Sequence, residues 1–307
     1  MSPAGSPHGA VVIGAGAMGR AHAAAWTELE VPVLYAVAPR LRPELPSAPG
    51  ARWVTELGEA LADPRCDVVS VCTPTPSHVE LAVQALDAGR HVLLEKPIAL
   101  TVADAERLAG QAARASATLM VAHVVRFFAD YAALAARVAA GSVGRPRTVR
   151  ASRLSAAPQG AEWLEDEERS GGLLVDFAIH DVDQACLLLG DPVAVTAVCA
   201  PGGGFGAPAA ITVEFAEGGV AQLLAVSDLP AGTPFSTSLE VVGDRGVDTL
   251  TGAAGDPFVA QARYFLDCVE TGTEPTRAPI AAAVQALRVC LAARESARTG
   301  RRVVLGD

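Results

Sequence analysis

Hydrophobic positions in the first third of the chain form short continuous runs separated by helical patterns. The apolar runs predict buried strands, at 10–13, 33–38, 67–72, 91–94 and 118–122. Helical patterns lie between them, at 20–29, 56–62, 76–88 and 102–115. Strands that are apolar throughout and alternate with helices are typical of a parallel sheet covered on both faces. The pattern predicts a doubly wound α/β domain over residues 1–124.

The pattern changes after about residue 124, where strand-like runs follow one another and are joined by turns. These runs fall at 147–154, 193–199, 210–215, 220–227 and 238–242. Helical patterns fall at 131–140, 173–189, 257–270 and 280–298. Gly218 and Gly219 stand where a hairpin turn is expected. Residues 125–307 are therefore predicted to form an α+β domain with a mostly antiparallel sheet.

The amino-acid composition argues against three classes of protein: disordered chains, nucleic-acid-binding proteins and membrane proteins. Half of the 307 residues are hydrophobic and 19% are charged, which is unlike an extended disordered chain. A net charge of -10 argues against a nucleic-acid partner, because phosphate contacts need clustered Arg and Lys. No apolar run reaches the ~18–20 residues that a membrane helix needs. We expect a protein that binds neither nucleic acid nor a membrane.

Targeting and cysteine patterns favour a cytoplasmic location. The segment 1–9 has no positively charged region, so it does not read as a signal peptide. Six cysteines are scattered, mostly inside apolar segments, and none forms a CxxC pair. We therefore expect neither a disulfide framework nor a zinc site. Because HExxH and similar ligand spacings are also missing, metal catalysis is not expected.

A glycine-rich turn follows the first predicted strand. It reads GAGAMG at 14–19, which fits the GxGxxG pattern between a strand and a helix. In that context the first glycine allows a tight turn, the second lets a pyrophosphate approach the backbone, and the third lets helix and strand pack closely. An ordinary glycine-rich turn is the alternative. We interpret the motif as a dinucleotide site of the Rossmann type, with contacts from Gly14, Gly16, Ala17, Met18 and Gly19.

The type of dinucleotide is usually determined about 20 residues further on, at the end of the second strand. An acidic residue there binds the ribose hydroxyls and repels a 2′-phosphate. Residues 36–42 read AVAPRLR, with no acid and two arginines. Arg40 or Arg42 is placed to pair with a 2′-phosphate, although both would also suit a solvated loop. The segment favours NADP, with NAD still possible.

Two further strands end in residues that suit a ligand crevice. Thr73, Pro74 and His78 follow the strand at 67–72, and Glu95 and Lys96 follow the strand at 91–94. In a doubly wound sheet the carboxyl ends of the strands face the cofactor. A simple turn and helix start is the alternative for the first segment. We expect all five residues to contact the cofactor.

Lys96 stands out because it is the only lysine among 24 basic residues. Arginine stays protonated at any useful pH, whereas lysine can exchange a proton. Pro97 follows it, and a cis bond there would aim Lys96 into the crevice. Lys96 is therefore a candidate for chemistry, although a surface lysine at a strand end is the alternative.

The predicted helix 173–189 is apolar on most of its circumference but carries one polar stripe. Asp176, His180 and Asp183 are spaced i, i+4 and i+7, which puts them on one face. A helix that is apolar nearly all round is buried, so such a stripe meets a partner, water or a ligand. A thin face turned to solvent is the alternative.

Together these segments resemble the Gfo/Idh/MocA family, the group of glucose–fructose oxidoreductase and inositol dehydrogenase. The resemblance rests on blocks that span most of the chain: GAGAMG at 14–19, TPTPSHVELAVQALDAGRHVLLEKP at 73–97, HVVRF at 123–127, GSVGRP at 141–146 and GGLLVDFAIHDVDQACLLLG at 171–190. The second and fifth blocks together are specific for the family. The resemblance implies an N-terminal Rossmann domain and a C-terminal open-sheet domain that packs into homodimers or homotetramers.

The resemblance also implies roles for individual residues. The catalytic lysine, aspartate and histidine of the family fall on Lys96, Asp176 and His180, which would also bind a sugar, inositol or related polyol. Its EKP glutamate falls on Glu95, near the nicotinamide. Arg126 matches a family arginine, and we expect it to bind substrate.

The reaction implied is hydride transfer between a carbinol or carbonyl carbon and nicotinamide. His180 suits the exchange of the hydroxyl proton at neutral pH, since histidine titrates near 6.5. Lys96 would stabilise charge on the same oxygen. Two other functions stay open: a sensor that binds dinucleotide and sugar without catalysis, and a glycosidase that uses bound NAD for transient oxidation.

Overall fold

The contacts within the chain divide it into two units. The computed structural model describes residues 8–39, 45–158, 162–200, 206–252 and 255–306. One unit comprises Met1–Val124 with Asp256–Ala281, and the other comprises Val125–Gly255 with Ala282–Asp307. This division differs from a linear split at residue 124 in one segment, 256–281. The two predicted domains, 1–124 and 125–307, stay a prediction.

The first unit is built on a six-stranded parallel sheet with the strand order β3-β2-β1-β4-β5-β6. Its elements are β1 (Gly9–Ile13), α1 (Ala17–Glu28), β2 (Val33–Val37), β3 (Arg52–Val54), α2 (Leu57–Leu61), β4 (Cys66–Val71), α3 (His78–Asp87), β5 (His91–Glu95), α4 (Val102–Ala112) and β6 (Leu119–Ala122). This strand order is typical of dinucleotide-binding sheets, whose ligands lie beyond the carboxyl ends of the strands. The predicted doubly wound domain is confirmed.

The second unit is built on a seven-stranded sheet with the order β12-β11-β7-β10-β9-β8-β13. Its elements are α5 (Ala129–Ala139), β7 (Pro146–Ala156), α6 (Glu167–Ser170), α7 (Ile179–Leu189), β8 (Pro192–Cys199), β9 (Ala209–Phe215), β10 (Val220–Leu229), β11 (Ser236–Gly243), β12 (Val247–Thr251), α9 (Ile280–Thr299) and β13 (Val303–Val304). All neighbouring pairs are antiparallel except β10 with β7. The predicted mostly antiparallel sheet is confirmed.

Helix α8 (Pro257–Thr271) belongs to the first unit, although most of the second unit precedes it in the chain. It packs on α1 through aromatic side chains. The rings of Trp26 and Phe265 lie 6.4 Å apart, and those of His22 and Phe258 lie 6.0 Å apart. Within the described residues, no helix combines the length and apolar character needed to cross a membrane.

The strands of the second sheet alternate between a buried face and a partly exposed face. On β10, Ala221, Leu223 and Ala225 are buried, whereas Gln222 and Leu224 are exposed. Because α7 contacts β7 and β10, it covers the buried face. The described residues leave this exposed face uncovered.

The predicted helix 173–189 consists of two pieces. Residues Leu173–Phe177 form a π-helical turn, in which the Ala178 amide donates to the Leu173 carbonyl over 2.9 Å. The α-helix then runs over Ile179–Leu189. Gly171 and Gly172 precede the turn with φ values of +82° and +71°, which suit glycine. The simple α-helical spacing predicted for the polar stripe is therefore wrong at Asp176, which lies in the wider turn.

Candidate active site

The glycine-rich turn joins β1 to α1 at the carboxyl end of the first sheet. Gly14 has a φ of +92°, and a Cβ there would lie 2.5 Å from the Cys72 carbonyl oxygen. A Cβ on Gly19 would lie 1.8 Å from the Gly14 carbonyl oxygen. Only glycine fits at either position, because the backbone of one element approaches the other too closely for a side chain. Two of the three glycines are thus required by the fold itself.

Gly16 has a different environment, since a Cβ there would meet no atom within 4 Å. It is exposed, as are Ala17 and Met18, and it caps α1 without a side-chain hydrogen bond. The start of α1 is therefore exposed, and a helix N-terminus with free amides attracts anions. This open cradle fits the pyrophosphate of a dinucleotide.

Thr73 and Pro74 follow β4 at the same edge and are partly exposed. The Ser77 hydroxyl donates to Thr73 Oγ1 over 2.7 Å, which holds the start of the following turn. His78 is almost fully buried behind these residues. Its Nδ1 lies 2.8 Å from the Pro97 carbonyl oxygen and its Nε2 lies 2.8 Å from that of Thr73. The ring therefore ties the segment after β4 to the segment after β5.

Glu95 and Lys96 end β5 at this edge. Glu95 is 4% exposed, whereas Lys96 is half-buried and is followed by a cis bond to Pro97. Glu95 Oε2 accepts from the Lys96 amide over 3.2 Å. Burial alone would raise the pKa of Glu95, but hydrogen bonding and charge from His22, and the charge of Lys96, hold that pKa below its usual range. Glu95 is therefore a carboxylate at neutral pH.

The second unit carries the other predicted catalytic residues. Asp176 lies in the π-helical turn and His180 lies in the first turn of α7, and both are partly exposed. Single π-helical turns are rare and occur frequently at functional sites. The residues around them, from Leu173 to Leu189, are mostly buried. These two polar side chains are thus accessible on a mostly buried segment.

Two buried ion pairs fix this segment within the second unit. Arg126 donates through Nε and Nη2 to the carboxylate of Asp183, each over 2.7 Å. Arg153 donates in the same bidentate way to Asp181, each over 2.9 Å. The Arg153 guanidinium also lies 5.9 Å from the Phe177 ring. Bidentate pairs hold both partners in one geometry, so they orient α7 and the turn before it.

The predicted residues fall into two groups. The second unit contains Arg126, Asp176 and His180. The first unit contains the others that the structure describes: Gly14, Gly16, Ala17, Met18, Gly19, Thr73, Pro74, His78, Glu95 and Lys96. Arg40 and Arg42 lie outside the described residues. Among the residues described, no three His, Cys, Asp or Glu side chains form a metal-binding cluster. Arg126 is committed to Asp183 and is 6% exposed, a pairing that the sequence pattern did not indicate.

Sequence reasoning missed His22, which lies next to Glu95. The signal was present, because a histidine on the face of α1 that also carries Gly19 and Trp26 needs a buried partner.

Comparison with known proteins identifies both units. Residues 9–123 match the model of an oxidoreductase family with an NAD-binding Rossmann fold, and residues 131–247 match the GFO/IDH/MocA C-terminal domain. Over 288 residues the chain is 27% identical to the scyllo-inositol 2-dehydrogenase (NAD(+)) of Bacillus subtilis, covering 83% of this chain and 82% of that protein.

Two other relatives extend the comparison. The chain is 31% identical to the myo-inositol 2-dehydrogenase of Thermotoga maritima over 186 residues, which cover 59% of this chain and 55% of that protein. Among solved structures, GenD2 from gentamicin A biosynthesis in complex with NAD superposes with a TM-score of 0.91 at 27% identity. That match covers 100% of both chains.

The contrast between Gly16 and Gly19 predicts different outcomes for the same substitution. Gly16→Ala should keep the melting temperature, because the Cβ meets open space, but weaken dinucleotide binding at least tenfold. Gly19→Ala should lower the free energy of unfolding by about 1–3 kcal/mol or more, because its Cβ overlaps backbone. Thermal melts and cofactor titration check both. Wild-type affinity in Gly16→Ala would contradict the assignment of the cradle.

The buried pair of Arg153 and Asp181 should matter far more to stability than an exposed pair. Arg153→Met leaves Asp181 buried without its partner, so we expect a loss of about 3–5 kcal/mol in urea unfolding. Arg137→Met, which breaks an exposed bidentate pair with Asp248, is the matched control and should cost less than about 1 kcal/mol. Equal losses in the two variants would contradict this account.

Proposed function

The chain belongs to the Gfo/Idh/MocA family of oxidoreductases, and from that premise we propose that it transfers hydride between a nicotinamide dinucleotide and a sugar, inositol or related polyol. The observation that carries the proposal is the shared edge of the first sheet. There the open cradle at Gly16 and the only lysine of the chain follow strands of the same parallel sheet. A helix start that attracts anions, at the same sheet edge as an amine that can exchange a proton, suits dinucleotide-dependent chemistry.

In the proposed reaction a bound dinucleotide would supply the hydride acceptor, and the protein supplies binding and proton transfer. The amides of α1 and the residues Thr73 and Pro74 would hold the dinucleotide. Lys96 donates a hydrogen bond to the substrate oxygen and stabilises its developing negative charge. His180 takes the hydroxyl proton, so that the alcohol becomes a carbonyl. Asp176 binds a neighbouring hydroxyl group of the substrate.

We propose NADP as the preferred cofactor, with NAD also accepted. The support is the sequence at 36–42, where an acid that would repel a 2′-phosphate is replaced by Arg40 and Arg42. Relatives of both kinds exist, since one Bacillus subtilis relative is named for NAD(+) and another for NADP(+).

We further propose a homodimer or homotetramer that assembles through the uncovered face of the second sheet. A row of small and apolar side chains crosses this face in register, formed by Ala210, Leu224, Ser152, Ser238 and Thr251. Leu224, between Ser152 and Ala210 in this row, is 41% exposed. A flat row without long charged side chains suits packing against a second sheet.

The proposed reaction is tested by absorbance at the nicotinamide band with inositols, aldoses and keto-sugars and with each cofactor. We expect turnover, with a higher kcat/KM for NADP. Lys96→Met and His180→Gln should each lower kcat about 10²-fold or more at saturating cofactor, because each removes a group that acts on the transition state. His91→Gln, at the start of β5, is the control and should keep wild-type activity.

Three outcomes of this screen would contradict the proposal. Cofactor binding without turnover of any panel member would favour the sensor. Release of nitrophenol from a nitrophenyl glycoside, with no net change in the cofactor, would favour the glycosidase. Unchanged turnover in Lys96→Met would remove Lys96 from the reaction.

The proposed assembly is tested by light scattering on two matched variants. Leu224→Glu should lower the particle mass toward that of one chain, because it buries a charge in the interface. Leu187→Glu changes a similarly exposed leucine, 44% exposed, on α7 and should keep the wild-type mass. A wild-type monomer, or an assembly that Leu224→Glu leaves intact, would contradict the proposal.

A further inference from the structure

A buried histidine lies behind the Glu95–Lys96 segment, and none of the proposed steps uses it. His22, on α1, is 2% exposed. Its Nδ1 lies 3.1 Å from Ser70 Oγ on β4, and its Nε2 lies 2.9 Å from Glu95 Oε1 on β5. One ring therefore connects a helix with two neighbouring strands of the parallel sheet.

The orientation of this ring is fixed on several sides. Because an ionised carboxylate can only accept hydrogen bonds, Nε2 carries a proton and donates a hydrogen bond to Glu95 Oε1. Ser70 is held in turn by the Trp26 indole, whose Nε1 donates to Ser70 Oγ over 2.9 Å. The Phe258 ring lies 6.0 Å away on α8. A ring held in this way has one position from which to contact Glu95.

Glu95 passes this constraint to Lys96. Its Oε1 accepts from His22, and its Oε2 accepts from the backbone amide of Lys96 over 3.2 Å. The two oxygens of one carboxylate therefore bridge the imidazole and the main chain of the lysine. A carboxylate without His22 would lose its only described side-chain hydrogen bond to the sheet interior and would be free to turn.

The charges around the ring support an ion pair. Burial alone would lower the pKa of His22, whereas negative charge and hydrogen bonding at Cys72, and a hydrogen bond and charge from Glu95, raise it. Burial raises the pKa of the Cys72 thiol, so the thiol keeps its proton at neutral pH and adds no charge there. The Glu95 carboxylate is then the negative charge that faces the ring.

Stability alone gives little reason for such a pair. Burying two charges is expensive, and apolar side chains of similar volume are often as stable or more stable. The other buried residues of α1, which are Gly19, Ala23, Ala25 and Trp26, carry no ionisable side chain. The pair instead lies one hydrogen bond from the backbone amide of Lys96, the residue proposed to act on the substrate.

We propose that His22 is a positioning residue, which holds the Glu95 carboxylate so that the Glu95–Lys96 segment presents Lys96 correctly to the substrate oxygen. His22 touches neither cofactor nor substrate in this arrangement and acts through Glu95. The inference rests on the proposed hydride transfer, and it adds a residue to the machinery of that reaction.

Kinetics of two His22 variants test the proposal. His22→Gln keeps an N–H donor and loses the charge, so we expect kcat to fall about tenfold. His22→Leu loses both hydrogen bonds, so kcat should fall about 100-fold, as misplacement of a reacting group by about 1 Å can cause. The KM for the alcohol and the Kd for the dinucleotide should stay within about threefold. His91→Gln, on the same strand as Glu95, is the control and should change none of these values.

A double variant tests whether His22 acts through Glu95. Glu95→Gln should lower kcat, and adding His22→Gln to it should lower kcat little further, because the two residues form one unit. If the double variant lost kcat by the product of the two single losses, the residues would act independently, and the proposal would be overturned. So would a loss that appears only as a higher KM, since that would indicate a binding role.

The single lysine gives a readout that does not depend on activity. Labelling with ¹⁵N-lysine yields one backbone amide signal, that of Lys96, whose N–H donates to Glu95. In His22→Gln this signal should shift and its hydrogen exchange should accelerate, whereas in His91→Gln it should match wild type. An unchanged signal would overturn the proposal.

This signal also separates the two proposals. If the wild-type protein shows no turnover, the proposed reaction fails, and the Lys96 amide alone decides whether His22 positions that segment. If His22→Leu does not fold, the kinetics and amide signal of His22→Gln decide.

Discussion

The parallel direction of the strands in the first sheet is the constraint on which the rest of the structure depends. Because all six strands run the same way, the segments that follow them emerge at one edge. The Gly14 amide donates to the Val37 carbonyl and the Cys72 amide donates to the Ile13 carbonyl, which fastens these strand ends together. Three segments that are far apart in sequence therefore lie at the same edge of the sheet, namely 14–19, 73–78 and 95–97. Beneath this edge, a buried layer of His22, Ser70, Glu95 and His78 connects the segments to one another.

In the second unit, buried ion pairs hold α7 and the turn before it in one orientation. Asp181 and Asp183 on α7 are both buried, and each is held by a bidentate arginine. Asp176 and His180 remain partly exposed on the same segment. A functional group on a rigid element is held more precisely than one on a loop. The buried aspartates thus serve the orientation of the accessible pair.

The sequence predicted the elements whose signal is local. Continuous apolar runs located β1, β2, β4, β5 and β6, and the glycine spacing located the turn at 14–19. Strand β3 was missed because its three residues, beginning with the exposed Arg52, form a strand only through pairing with β2. The π-helical turn was missed because periodicity arguments assume 3.6 residues per turn. The partners of Asp183 and His22 lie 57 and 73 residues away, so no local pattern reveals them.

Transfer of deuterium tests the central claim most directly. The protein would be incubated with oxidised NAD and NADP and a mixture of inositols and aldoses deuterated at their carbinol carbons. Mass spectrometry would then follow the nicotinamide ring. Hydride transfer predicts reduced cofactor that carries one deuterium at C4 for each polyol oxidised. A cofactor that stays oxidised, or that is reduced without gaining deuterium, would contradict the account.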